Sequence, residues 1–146
     1  MPTAARMAGA IVFAILAWIL SELVKPLLPE GLNVGNFSEY NIIIGIICGW
    51  VVMGPRAIGG YAEALGGGVT TSIVMLAWGL LIYSVIEMVK QSFRMHYKGP
   101  IEAVVGIFEI GFGYGAMLGT VGFITTLIAG GALCGLACGW VAKRWK

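Results

Sequence analysis

The sequence predicts an all-α membrane protein: four transmembrane helices plus an amphipathic or re-entrant helix before the last span. Three observations predict it. Of 146 residues, 59% are hydrophobic and only 11% charged, more apolar than a soluble domain of this size can cover with polar surface. The charges punctuate uncharged runs at 7–21, 40–55, 64–86 and 110–142. Within those runs glycines recur every fourth residue, the spacing that lets helices approach closely in lipid.

The expected spans are 6–24, 38–55, 68–90 and 120–142, in one integral membrane domain over 1–146. A helix rises about 1.5 Å per residue against a hydrocarbon core of about 30 Å, so the last two runs cross easily. The first two cross if Arg6, Glu22, Lys25 and Arg56 sit at or snorkel towards the headgroups. Residues 1–25 end in Ser21-Glu22-Leu23-Val24-Lys25 without a small-x-small cleavage site and read as a retained anchor. Pro26, Pro29 and Gly31 break the chain after the first span. Gly54-Pro55 ends the second, and Gly59-Gly60 and Gly66-Gly67-Gly68 loosen the backbone before the third. The hydroxyls of Thr70, Thr71 and Ser72 find carbonyls one turn back.

Gly45-Ile46-Ile47-Cys48-Gly49-Trp50-Val51-Val52 and Gly135-Leu136-Ala137-Cys138-Gly139-Trp140-Val141-Ala142 are near-copies. Leu16-Ala17-Trp18 before Glu22-Leu23-Val24-Lys25 likewise resembles Leu76-Ala77-Trp78 before Glu87-Met88-Val89-Lys90. Two related hairpins, with 91–119 inserted into the second, account for both matches, as does chance in a chain rich in Leu, Ala, Gly and Val. Related hairpins require the insert not to cross. Over 100–118, Glu102, Gly106, Glu109 and Gly113 make one face acidic or bare, while Ile101, Val104, Val105, Phe108 and Phe112 crowd the other: an interfacial amphipathic helix. A fifth span is the rival, opposed by about 2.5 to 3.5 kcal/mol for a charge at mid-membrane.

Charge counting pulls the other way. Four spans with a cytoplasmic N-terminus put Arg6, Arg56, Lys143, Arg144 and Lys146 inside against Lys25, Lys90, Arg94 and Lys98 outside, a margin of one. Five spans with the N-terminus outside leave only Arg6 and Arg56 outside, a stronger positive-inside bias.

The helix-packing candidates are Gly45 and Gly49, Gly131, Gly135 and Gly139, and Gly111, Gly115 and Gly119, three bare stripes suited to packing within the chain or against a partner or second copy. Cys48, Cys134 and Cys138 lie in apolar runs, whereas a redox or soft-metal site wants thiolates in an electropositive, partly exposed setting; small buried hydrophobes is the plainer reading. Glu22 with Lys25 and Glu87 with Lys90 make interfacial pairs at i and i+3. The sharper reading has Glu87 and Glu109 lining a polar cavity for a cation or proton. Lys90, Arg94, His96 and Lys98 suit anionic lipid headgroups. With one His, no Asp and a net charge of +2, the chain offers no zinc spacing, no Ser-His-Asp set, no phosphate loop and no nucleic-acid footprint. No catalytic residue, cofactor or metal is expected.

Several strings carry a family resemblance: Met1-Pro2-Thr3-Ala4-Ala5-Arg6, Ser21 to Gly31 (SELVKPLLPEG), Gly49-Trp50-Val51-Val52-Met53-Gly54, and Gly99 to Ile110 (GPIEAVVGIFEI). Together they resemble the TrgA family of small alphaproteobacterial inner-membrane proteins, associated by name with tellurite resistance. The likeness spans nearly the whole chain but holds no catalytic signature, so no functional residue transfers from it. Family members carry Arg-Arg after the glycine matching Gly54, where this chain has Pro55-Arg56. The resemblance implies a part in tellurite tolerance. The alternative is a non-catalytic accessory subunit, its glycine-striped helices packed against a larger photosynthetic or respiratory complex.

Overall fold

The computed structural model describes residues 2–27, 36–94 and 98–145. Helix α1 covers Pro2–Val24 and tightens into a 3-10 turn at Lys25–Leu27, where Pro26 withholds its backbone donor. Helix α2 covers Phe37–Arg56, α3 Tyr61–Phe93, α4 Pro100–Leu118 and α5 Val121–Arg144. All five are long and apolar enough to cross a membrane, and the described residues contain no β-strand. The chain has the architecture of an all-α, multi-pass membrane protein. Residues 28–31, the rest of the expected first break, lie outside the described residues.

Four helices form a ring of antiparallel neighbours, as the contacts at each end show. Ser38 of α2 donates a hydrogen bond to Glu22 of α1 at 3.2 Å, while Gly54 near the other end of α2 lies against Arg6. Phe37 stacks on Tyr83 of α3, with centroids 4.5 Å apart, and Arg56 lies against Gly67. Gly131 of α5 faces Ser72 and Gly139 faces Ala64. The ring closes where Gly130 meets Leu16 and the Cys134 thiol approaches the Val12 carbonyl at 3.9 Å. Phe13, Leu16, Ala17, Met53, Leu127 and Cys138 are among the buried core residues.

Helix α4 stands outside the ring and packs chiefly on α3, with Gly111 against Ser84. The segment 94–99 is too short to carry the chain back along α3 before α4 begins, so α4 runs opposite to α3. Helix α5 also runs opposite to α3, and only Gly119 and Thr120 separate α4 from α5. The two helices therefore point the same way at successive levels of α3, whose 33 residues extend about 50 Å, well beyond the hydrocarbon thickness. The apolar face expected of α4 points outward: Ile101 is 79%, Phe108 69% and Phe112 83% exposed.

Glycine sets the tightest approaches. A Cβ on Gly45 would lie 2.6 Å from the Phe13 carbonyl oxygen, and one on Gly9 2.5 Å from that of Gly49. On the other hairpin a Cβ on Gly68 would run into the Gly131 carbonyl, and one on Gly135 into that of Ala64. Gly66-Gly67-Gly68, expected to loosen the backbone ahead of a span at 68, instead belong to α3, which starts at Tyr61. Gly67 and Gly68 are buried against neighbouring helices, and that close packing offsets the roughly 1 kcal/mol per residue that glycine costs a helix. The break falls earlier, at Gly60, whose φ of 124° is a backbone that side chains disfavour. Nor does Gly54-Pro55 stop α2. A π-helical turn at Gly49–Met53 shifts the hydrogen-bond register so that Gly54 bonds to the Gly49 carbonyl, and the helix continues through Pro55 to Arg56.

The paired hydroxyls behave as the sequence predicts. Thr70, Thr71 and Ser72 donate to the carbonyls of Gly66, Gly67 and Gly68 at 2.8, 2.7 and 3.1 Å. Ser21 and Ser84 do the same to Ala17 and Leu80, each at 2.7 Å. Among the described residues every buried side-chain polar atom has a partner.

Gly135→Leu should drive α3 and α5 apart and lower stability in mild detergent by ~1–3 kcal/mol or more, read as a fall in the thermal midpoint. Gly115→Leu, where an added Cβ meets nothing within 4 Å, should leave the midpoint unchanged or raise it.

Candidate functional site

Among the described residues the ring is closed by close backbone contacts at one end and encloses a cavity towards the other. Towards the N-terminus of α1 the contacts are glycine on backbone, involving Gly9, Gly49, Gly68, Gly131 and Gly135. Towards the other end the facing residues include Phe37, Tyr40, Met75, Tyr83 and Phe123. They line a cavity of about 530 Å³, within the size range of small-molecule sites. All five helices line it, α4 supplying Tyr114, Met117 and Leu118 as a side wall.

Its interior is largely apolar, with a few fixed polar groups. Asn41 donates through Nδ2 to Ser21 Oγ at 2.9 Å, so the Asn41–Ser21–Ala17 chain anchors an amide on the wall. The Tyr83 hydroxyl donates to the Phe37 carbonyl at 3.2 Å, which together with the ring contact fixes both aromatics. At the rim Glu87 and Lys90 face each other loosely, with N···O 3.8 Å. Glu22 and Lys25 are in contrast tightly paired. Gly79, buried, borders the cavity, and a Cβ there would meet only the Asn41 carboxamide oxygen, at 3.5 Å.

The residues singled out in the sequence divide among three places. Glu87 and Lys90 are on the cavity rim, whereas Glu109 is exposed on α4 and not part of the lining. The described residues contain no group of three His, Cys, Asp or Glu able to hold a metal ion. Arg94 and Lys98, beside the end of α3 and the start of α4, are exposed, as is Lys90, and the Lys98 backbone N–H donates to Glu102 at 2.9 Å, tying down the start of α4. His96 lies outside the described residues. Lys143 sits over the Tyr61 ring at 3.7 Å and Arg144 over Trp140 at 5.3 Å, at the closed end.

Of the glycine stripes, Gly45 and Gly49 face α1, and Gly131, Gly135 and Gly139 face α3. The third is different. Gly111 touches Ser84, Gly119 closes against its own Ala116 carbonyl, and Gly115 faces open space. Gly111 and Gly115 floor a shallow groove between α3 and α4, flanked by Leu81, Phe108 and Phe112. Asn41, Ser21 and the tyrosines were not singled out as site residues. A signal for Asn41 was present: an amide inside the uncharged run 40–55 needs a polar partner across helices.

The thiols are unpaired by disulfides; Cys48 and Cys138 are buried, at 4% and 0% exposure, and Cys134 is half-buried. A membrane-permeant maleimide should label Cys48 and Cys138 on the order of tenfold or more slowly in the native protein than after denaturation, since labelling waits on local opening. Equal rates, measured by mass spectrometry, would show those sites open.

Compared with protein-family models, with curated proteins and with solved structures, the chain matches none.

Proposed function

We propose that the chain is a non-catalytic protein of the bacterial inner membrane that crosses four times, through α1, α2, α3 and α5, and acts as an accessory subunit by packing α4 against a larger membrane complex. The four-span reading rests on direction. Successive crossings must reverse, yet α4 and α5 point the same way with two residues between them, so one of them does not cross; α5 is built into the ring and α4 is not. This keeps Glu102 and Glu109 near the headgroups. The closed end, with Arg6, Arg56, Lys143 and Arg144, is then cytoplasmic. The two glycine-bearing helices α2 and α5 run in the same direction, as related hairpins require.

The single observation that carries the accessory role is the uncovered groove of Gly111 and Gly115 beside the exposed Phe108 and Phe112. Small residues flanked by aromatics on an outward face suit a partner helix in lipid. The TrgA resemblance supports tellurite tolerance as the physiological setting, and the burial of Cys48 and Cys138 favours a role there other than thiol-dependent reduction.

Reporter fusions after residue 99 and at the C-terminus should report opposite sides of the membrane; the same side for both would sink the four-span reading. Purified in mild detergent from native membranes, the protein should elute with a larger complex, and Gly115→Leu should release it at unchanged thermal midpoint. Wild-type protein eluting alone would overturn the accessory role. Deletion should raise tellurite sensitivity, and unchanged sensitivity would remove that setting.

A further inference from the structure

We propose that the cavity enclosed by the ring holds one zwitterionic phospholipid, with an acyl chain among Leu20, Met75, Phe123 and Leu127 and the headgroup across Glu87 and Lys90. The interior supports the chain: apolar side chains from four helices, closed below by the glycine contacts and laterally by α4. A cavity of about 530 Å³ walled this way in a bilayer fills with hydrocarbon, since water would find few polar partners there.

The rim selects the head. Glu87 and Lys90 lie one turn apart on α3 and engage each other only at 3.8 Å, with the Lys90 side chain 52% exposed. A weak pair of this kind is worth ~1 kcal/mol or less to itself, so each partner is free to take a counter-charge. A phosphate on Lys90 and an ammonium on Glu87 satisfy both. An anionic lipid without an amine satisfies Lys90 and is repelled by Glu87, and a neutral ring compound engages neither charge. Besides the pair, Tyr40, Tyr83 and Tyr114 line the same cavity, polar-tipped side chains suited to the boundary between acyl chain and headgroup.

The test is native mass spectrometry of the whole protein, delipidated by detergent exchange and then offered phosphatidylethanolamine or phosphatidylglycerol with identical acyl chains. One phosphatidylethanolamine should be retained per protein, in preference to phosphatidylglycerol by about fivefold, and Glu87→Gln should erase the preference. Gly79→Phe, which fills the cavity from a position with room for a side chain, should abolish retention of both lipids at unchanged thermal midpoint. Should Gly79→Phe not fold, Glu87→Gln decides alone. No retained lipid in the wild type, equal retention of the two headgroups, or a preference untouched by Glu87→Gln each overturns the assignment. So does a ring-bearing chromophore that co-purifies at one per protein and is not displaced by phosphatidylethanolamine.

Discussion

The structure depends on backbone meeting backbone at one end of the ring. In lipid no hydrophobic effect draws helices together, so association rests on dispersion, interhelical polar contacts and lipid entropy. Dispersion grows steeply with closeness, and only residues without side chains let helix axes come close. Gly9 with Gly49, and Gly68 with Gly131 and Gly135, supply that closeness on two different helix pairs at about the same level. Both clamps lie at the end of the ring away from the cavity. The cavity lies at the end without those clamps, where Phe37, Tyr83 and Phe123 take the place of glycine in its wall.

Polar groups are managed on the same economy. Thr71, Ser72, Ser21 and Ser84 are fully buried, and each hydroxyl donates to a carbonyl of its own helix. Polar contacts between helices include Tyr83 of α3 to the Phe37 carbonyl of α2 and, from α2 to α1, Asn41 to Ser21. That bond lies beyond the reach of the clamps, where an interhelical hydrogen bond is worth about 1 kcal/mol and fixes register. It keeps α1 and α2 in step at the end where their side chains alone would let them slide.

How much of this was legible in the sequence follows from which signals are local. The helical character of the long apolar runs, the hydroxyl back-bonding and the inward-facing glycines of α2 and α5 depend on residues a turn or two apart, and the sequence carries them. Gly66-Gly67-Gly68 misled because glycine reads as a breaker when isolated, and its helical state here exists only against Gly131, Gly135 and Arg56. The extension of α2 through Pro55 needed a π turn, a backbone register no residue pattern announces. The repeat shows the limit most clearly. Matching Leu16-Ala17-Trp18 to Leu76-Ala77-Trp78 would seat Gly135 near residues 73 and 77, as Gly45 is seated on Phe13 and Ala17. Gly135 instead meets Ala64 and Gly68. The hairpins share direction and glycine chemistry but not register, because Gly68 and Ala64 allow a closer approach than the bulkier stretch above them. The cavity was invisible for the same reason: its lining comes from all five helices, from residues remote in sequence.

Helix α4 shows what this arrangement leaves undetermined by the ring itself. It is held by α3 and by the two-residue link to α5, and it buries Gly106 alone among its residues. Its inward side, through Tyr114, Met117 and Leu118, walls the cavity, while Gly115 with Phe108 and Phe112 faces outward. An element with few buried contacts has low local stability, so its position responds to whatever lies on either side of it. A rotation of α4 about its axis that carried Tyr114 out of the cavity wall would also draw Gly111 away from Ser84 of α3. The cavity and the outward groove are therefore two faces of one loosely held helix, and occupation of one bears directly on the geometry of the other.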